Sequence, residues 1–246
     1  MAHLNTKRIF RQLPAGLLVV LSSSLATAGM VTFTTPTGST LGGNAVNASA
    51  AFTTGAGTVS IDLSNLLTAS QMIDVGQNLS DLSFTLSGTF ASGSATSRTY
   101  SGTLIDVASD GSVSPGTGTY NGWTFSNSGS TFLLEDLGSL AGPAQTIIGG
   151  TTLTTSYPNA NGSIAGNDPH NPFLQGTAHF SLNISGVTAN TSVSAATFSF
   201  GTTVGSNVTG TPGGNIQSTP EPASLALMGL GLLGLGAFSR RLRRSR

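Results

Sequence analysis

Thr177-Ala178-His179-Phe180-Ser181-Leu182-Asn183-Ile184 alternates with a period of two. Ala178, Phe180, Leu182 and Ile184 fall on one face, and Thr177, His179, Ser181 and Asn183 on the other. Successive side chains of a strand point to opposite faces, so this pattern describes an antiparallel strand packed on one side and wet on the other. Asp81-Leu82-Ser83-Phe84-Thr85-Leu86-Ser87 repeats it, with Leu82, Phe84 and Leu86 as the apolar set.

Outward from these two stretches, strands are expected at 58–63, 100–107, 122–126, 131–135 and 195–201. Turn-forming clusters separate them: Asp110-Gly111, Asn121-Gly122, Asn127-Ser128-Gly129 and Asn161-Gly162. Residues 159–173 read as a long irregular loop shaped by Pro169 and Pro172. One short helix is expected over 64–74, with Ser64 as its N-cap. Many short strands and few helix formers predict an all-β chain with one β-sandwich or jelly-roll-like domain over residues 29–204. Residues 205–219, rich in Gly, Thr and Asn, read as a flexible linker.

The 246 residues include no Cys, and the formal net charge is zero. Zero Cys excludes disulfides, thiolate metal sites and a cysteine nucleophile. The zero charge hides a segregation. Residues 29–219 carry eight acids against Arg98 alone, a net of −7. A body of that sign cannot neutralise a phosphate backbone, so nucleic acid is excluded as a partner.

The basic residues collect at the two ends. Lys7, Arg8 and Arg11 precede the apolar stretch 13–21, and Ala26-Thr27-Ala28 offers a small-x-small cleavage site. Residues 1–28 therefore read as a secretory signal peptide, with Ala26 and Ala28 as the signal peptidase site. At the other end, residues 223–239 form an uncharged apolar run followed by Arg240, Arg241, Arg243, Arg244 and Arg246. Seventeen residues of helix span roughly 25 Å, at the short limit for a bilayer core, so a transmembrane helix is expected there. The arginines act as a stop signal that holds this end in the cytoplasm and leaves the body outside. Pro220-Glu221-Pro222 stands just before the run. A residue before proline is pushed out of the helical region, while Pro222 suits a first helical turn. The expected result is an extended segment at the outer membrane surface, followed by a helix. Extended backbone is what proteases bind.

This order of Pro-Glu-Pro, apolar run and arginine cluster over 220–246 resembles the PEP-CTERM sorting signal, a tripartite tag of Gram-negative bacteria that also make exopolysaccharide. The resemblance implies recognition by exosortase, a membrane cysteine transpeptidase, and removal of the tail near Pro220, Glu221 and Pro222. It covers about a tenth of the chain and is an address, since folds and signals of this kind carry diverse activities.

Within the body no catalytic, cofactor or metal constellation is assigned. His170 and His179 are its only histidines, and no Gly-x-Ser-x-Gly elbow occurs. Asp168 and His170 share a loop without a third ligand, so Asp168 reads as a turn residue. Asp106 and Asp110-Gly111 lack calcium-loop spacing. Glu135 and Asp136 are adjacent, which on a strand aims them at opposite faces. Trp123 alternates with Phe125 and reads as core.

The expectation is a non-enzymatic exported protein, without cofactors, that is membrane-anchored as a precursor and then passed to the cell surface or extracellular matrix. Signal peptidase, exosortase and the membrane are its expected partners, with exopolysaccharide as a further one. An alternative is a carbohydrate-binding module, for which an exposed Trp123 or Tyr157 in a cleft would speak. A secreted glycoside hydrolase with two converging carboxylates is the third reading.

Overall fold

The computed structural model describes residues 30–137, 143–203 and 205–213. Strands dominate, as the alternation predicts. In chain order they are β1 (Met30–Thr34), β2 (Thr40–Leu41), β3 (Asn44–Ala45), β4 (Ala48–Gly55), β5 (Thr58–Asn65), β6 (Leu79–Leu86), β7 (Ala95–Val107), β8 (Val113–Pro115), β9 (Thr124–Ser128) and β10 (Thr131–Glu135). They continue with β11 (Ile147–Ile148), β12 (Phe173–Ile184), β13 (Val193–Phe200), β14 (Asn207–Thr209) and β15 (Thr211–Pro212). β2 and β3 pair with each other, and the other 13 strands form one sheet.

That sheet has two well-knit halves. In one, β9, β10, β6, β13 and β14 pair antiparallel in that spatial order. In the other, β8, β7, β12, β5, β4, β1 and β15 do the same. The two-residue β11 joins them, parallel to β12 and antiparallel to β6. The inward residues come from the predicted alternation: Val59, Ile61 and Leu63 of β5, Leu82, Phe84 and Leu86 of β6, and Ala178, Phe180, Leu182 and Ile184 of β12 are all buried. The halves meet through aromatic rings. Phe52 of β4 lies 5.2 Å from Phe84 of β6, which stacks at 5.5 Å on Phe132 of β10. Rings at these separations add attraction beyond the area they bury.

Two expectations are corrected. Residues 64–74 do not form a helix. Ser64 and Asn65 complete β5, and only the short 3₁₀ turns Ala69–Gln71 and Val75–Gln77 follow. Two buried amides replace the helical ladder. Asn65 donates to the carbonyls of Gln77 and Ile147 at 2.9 and 3.1 Å. Gln77 accepts from the N–H groups of Ile73 and Asp74 and donates to the carbonyls of Ala45 and Gln71. Side chains that satisfy the backbone this way compete directly with helix formation.

The second correction concerns the linker. Residues 207–212 lie inside the sheet. Val208 pairs with Phe198 of β13, and two residues beyond Thr209 the chain pairs with β1, Thr211 opposite Thr34 and Pro212 opposite Phe33. One segment thus bridges an edge of each half. It crosses at Gly210, whose N–H donates to the Ala196 carbonyl at 2.9 Å. A Cβ there would stand 2.9 Å from the Phe198 ring, so only glycine fits the crossing.

Candidate functional site

Ala26, Ala28, Pro220, Glu221, Pro222 and the arginines Arg240, Arg241, Arg243, Arg244 and Arg246 lie outside the described residues, as do the expected signal peptide and membrane run. Among the described residues, no helix is long and apolar enough to cross a membrane.

The body offers two places where chemistry could gather. The first is a groove of about 500 Å³ walled by residues 64–69, Gly102 and Thr103, residues 150–152 with Thr154, and Gly176, Thr177 and His179 of β12. That volume lies within the ~300–1,000 Å³ of ordinary small-molecule sites. The groove follows from a bulge, since the β12–β7 register shifts between Gln175 and His179. Gly176 takes φ +71°, and a Cβ on it would stand 2.5 Å from the Gly150 carbonyl oxygen. Bulges of this kind re-aim side chains next to binding sites. Ser64, Thr68, Thr103, Thr151, Thr152, Thr154 and Thr177 are among the lining residues, although the exposed surface of the groove is more apolar than polar.

His179 forms the rim. It lies on the wet face of β12, as expected, and its Nδ1 sits 2.7 Å from Asp62 on β5. Both side chains are about three-fifths exposed, at 59% and 61%, so water screens the pair and its contribution to stability is small. Two residues along, Ser64 and Thr177 share a hydroxyl–hydroxyl bond of 2.8 Å. On the other side of β12, Ser101 of β7 stands directly opposite His179 in the register, and Ser181 lies opposite Ser60 two residues further along.

The second place is acidic and buried. Asp81 begins the apolar stretch of β6, opposite Glu135 of β10. Its Oδ1 accepts the Asp136 N–H at 3.1 Å. Asp81 is 7% exposed and Asp136 is 0% exposed. Burial pushes the Asp136 carboxyl up to about 8, and the Asp81 charge adds to the rise. Burial likewise pushes Asp81 up to about 6, with the Glu135 charge adding to it and backbone N–H bonds opposing it. Around Asp136, Tyr100 donates its hydroxyl to Gln145 Oε1, Gly122 donates its N–H to the same oxygen, and the Trp123 indole donates to the Gln145 carbonyl at 2.9 Å. Gln145 holds φ +74°, a conformation that non-glycine residues seldom adopt. Sequence reasoning divides Glu135 from Asp136 by face but does not single out Asp136. The available signal is phase: Phe132 and Leu134 point inward, and Asp136 is next in that series.

The remaining predicted residues do not converge. His170 Nδ1 lies 2.7 Å from the Ser163 carbonyl, and Asp168 opens a 3₁₀ turn. Asp110 caps a turn through the Ser112 N–H. Among the described residues no three His, Cys, Asp or Glu side chains group around a common point. Trp123 and Tyr157 are both buried, Trp123 against Phe180 at 5.0 Å and Tyr157 with its hydroxyl on the Gly149 carbonyl. Neither offers a face on which a sugar could stack.

Comparison with known proteins identifies the tail. Residues 218–244 match the PEP-CTERM protein-sorting motif. No curated protein and no solved structure matches the chain. The chain thus carries a PEP-CTERM motif over residues that include Pro220-Glu221-Pro222, the apolar run and four of the arginines.

Proposed function

We propose that this chain is an exported surface or matrix protein, processed by exosortase, whose β body is a non-catalytic structural or adhesive module. The observation that carries this reading is the sorting motif at 218–244. The signal-peptide pattern at 1–28 supports export, and the packing of the sheet's two halves against each other through their buried faces suits a compact β-sandwich-like cargo. In this reading signal peptidase cuts after Ala28, the run 223–239 holds the precursor in the inner membrane, and exosortase removes the tail near Pro222. Replacing Pro220-Glu221-Pro222 with three alanines in the full chain should leave the uncut, tail-bearing form in the membrane fraction, seen by immunoblot as the larger species. Processing at the normal rate would overturn the sorting claim.

The groove favours a second reading, in which the body binds the matrix polysaccharide. Its walls are uncharged apart from the His179–Asp62 rim, and the Ser and Thr residues among them carry hydroxyls that can donate and accept as sugar hydroxyls do, beside a mostly apolar surface. The burial of Trp123 and Tyr157 counts against a stacking mode, so contact would be by hydrogen bonds. Titration calorimetry of exopolysaccharide fragments should show binding that Thr103→Val and Thr152→Val each weaken about 2–10-fold, the value of one net hydrogen bond. Absence of heat with every fragment, or equal binding by both variants, would overturn it.

A further inference from the structure

Asp168-Pro169 is the only Asp-Pro pair in the chain. It opens the 3₁₀ turn Asp168–His170 in the loop that leads into β12, and both residues are exposed. The one ion pair among the described residues joins His179 to Asp62, so no cation of the body holds the Asp168 carboxylate. A carboxylate oxygen of aspartate that attacks its own main-chain carbonyl carbon closes a five-membered ring. The competing reaction, attack by the next residue's nitrogen on the side chain, needs an N–H at that nitrogen, and proline has none.

The fold fixes this peptide bond in place. Both ends of the loop are clamped on one residue of β7. Gly166 donates its N–H to the Val107 carbonyl at 3.0 Å, and Val107 donates its N–H to Asn171 Oδ1 at 3.0 Å. Gly166 takes φ +69°, and a Cβ on it would stand 2.9 Å from the Ser109 Cβ, so glycine lets the loop lie close against the chain beyond β7. Inside the clamp the His170 N–H donates to the Asn167 carbonyl at 3.0 Å, and His170 Nδ1 is tied to the Ser163 carbonyl. The Asn171 N–H donates to the Asp168 carbonyl oxygen at 3.1 Å. That oxygen belongs to the Asp168-Pro169 peptide itself. A donor fixed there stabilises the negative charge that gathers on the oxygen as the carbon is attacked. The titratable neighbours are His170 on the same turn and Asp106 of β7, whose carboxyl is raised by burial first and by the Asp168 charge second.

We propose that the folded body cuts its own chain between Asp168 and Pro169. An Asp168 carboxylate oxygen bonds to the Asp168 carbonyl carbon, the bond from that carbon to the Pro169 nitrogen breaks, and its electron pair stays on nitrogen, which takes a proton from solvent. Mild acid supplies that proton. Water then opens the cyclic anhydride to two carboxyl groups, so one water is consumed and nothing is oxidised or reduced. The pieces stay together. β12 remains paired with β5 and β7, β13 with β6 and β15 with β1, each pair joining the two sides of the cut. The piece that carries the sorting motif then holds the rest of the body by strand pairing alone. The cut is independent of whether the body is adhesive or binds sugar.

The test uses the full chain in detergent, held overnight at about pH 5, once folded and once unfolded in urea at the same pH. Orientation in the folded turn should make cleavage there at least about tenfold faster than in the unfolded chain, which carries the same pair of residues. A denaturing gel and mass spectrometry should show two pieces, one beginning at Pro169, that elute as a single species under native conditions. Asp168→Asn is an exposed change that should fold as the parent does and stay whole. A folded chain cut no faster than the unfolded one, or Asp168→Asn cut at the parent rate, overturns the proposal.

Discussion

Trp123→Ala should remove most of the stability of the β body, by about 4–8 kcal/mol. Truncating a fully buried large aromatic costs ~3–5 kcal/mol, because the neighbours close the cavity only in part. Here the ring is 0% exposed and meets Phe180 edge-on at 5.0 Å, and Tyr100 stacks on that same Phe180 at 5.3 Å. A second loss adds to the first. The indole N–H is the donor to the Gln145 carbonyl, and an orphaned buried acceptor costs ~1–3 kcal/mol more. Gln145 is the residue least able to adapt, since its positive φ is held by bonds to Tyr100, Gly122 and Thr119. With total stabilities of ~5–15 kcal/mol, the variant should be largely unfolded or melt far below the parent, as read by circular dichroism. Trp123→Phe separates the two causes: it restores most of the packing and should recover all but the hydrogen-bond share. A Trp123→Ala loss below about 1.5 kcal/mol, the scale of a volume-conserving core swap, would show that the ring is not a core anchor.

What could be read in advance depended on whether one face of a segment was buried and the other wet. β5, β6, β10 and β12 meet that condition, and their alternation in the sequence locates them and their inward residues directly. Trp123 follows from the same rule. Residues 64–74 do not. Leu66, Leu67, Met72 and Ile73 are spaced to mimic a helix face, yet Leu66 and Ile73 are exposed, and the segment is set by the amides of Asn65 and Gln77. Those amides bind local backbone and also reach carbonyls distant in sequence, Asn65 that of Ile147 and Gln77 that of Ala45, which no local periodicity records.

The acidic cluster was half legible for a related reason. The phase of Phe132 and Leu134 carries Asp136 inward, but its isolation depends on where Arg98 points, on the glycine at position 122 and on Asp81 arriving from another strand. The groove is similar. Glycines at 102, 150 and 176 look like ordinary loop punctuation, and only their mutual approach makes a cavity. The sorting tail is the opposite case. Its meaning lies in linear order, so it is legible without any fold.

Replacing residues 207–212 with a Gly/Ser stretch of equal length, in the otherwise intact chain, should lower stability by about 3–6 kcal/mol and promote aggregation. The segment looks dispensable, with Val208 as its only apolar side chain beside Pro212, and with glycines at 205, 210 and 213. Its value is topological. It hydrogen-bonds β13 on one side and β1 on the other, with the Gly210 and Gly213 N–H groups donating to Ala196 and Thr32 at 2.9 and 2.7 Å. Three register pairs with β13 and two with β1 are at stake, and a central value of about 1 kcal/mol per net bond puts the loss within the stated range. Removing it also frees two edges at once, and an exposed edge is a template for pairing with another copy. The expected signature is a lower midpoint of thermal unfolding together with a larger species on size-exclusion chromatography. The consequence reaches the processing step. Gly213 and Pro220 are seven residues apart, a covalent reach of at most ~25 Å, so a body closed by this strand is held close to the site where the tail is proposed to be cut. If the strand were linker, as its composition suggests, the Gly/Ser version would melt with the parent and elute as the same species.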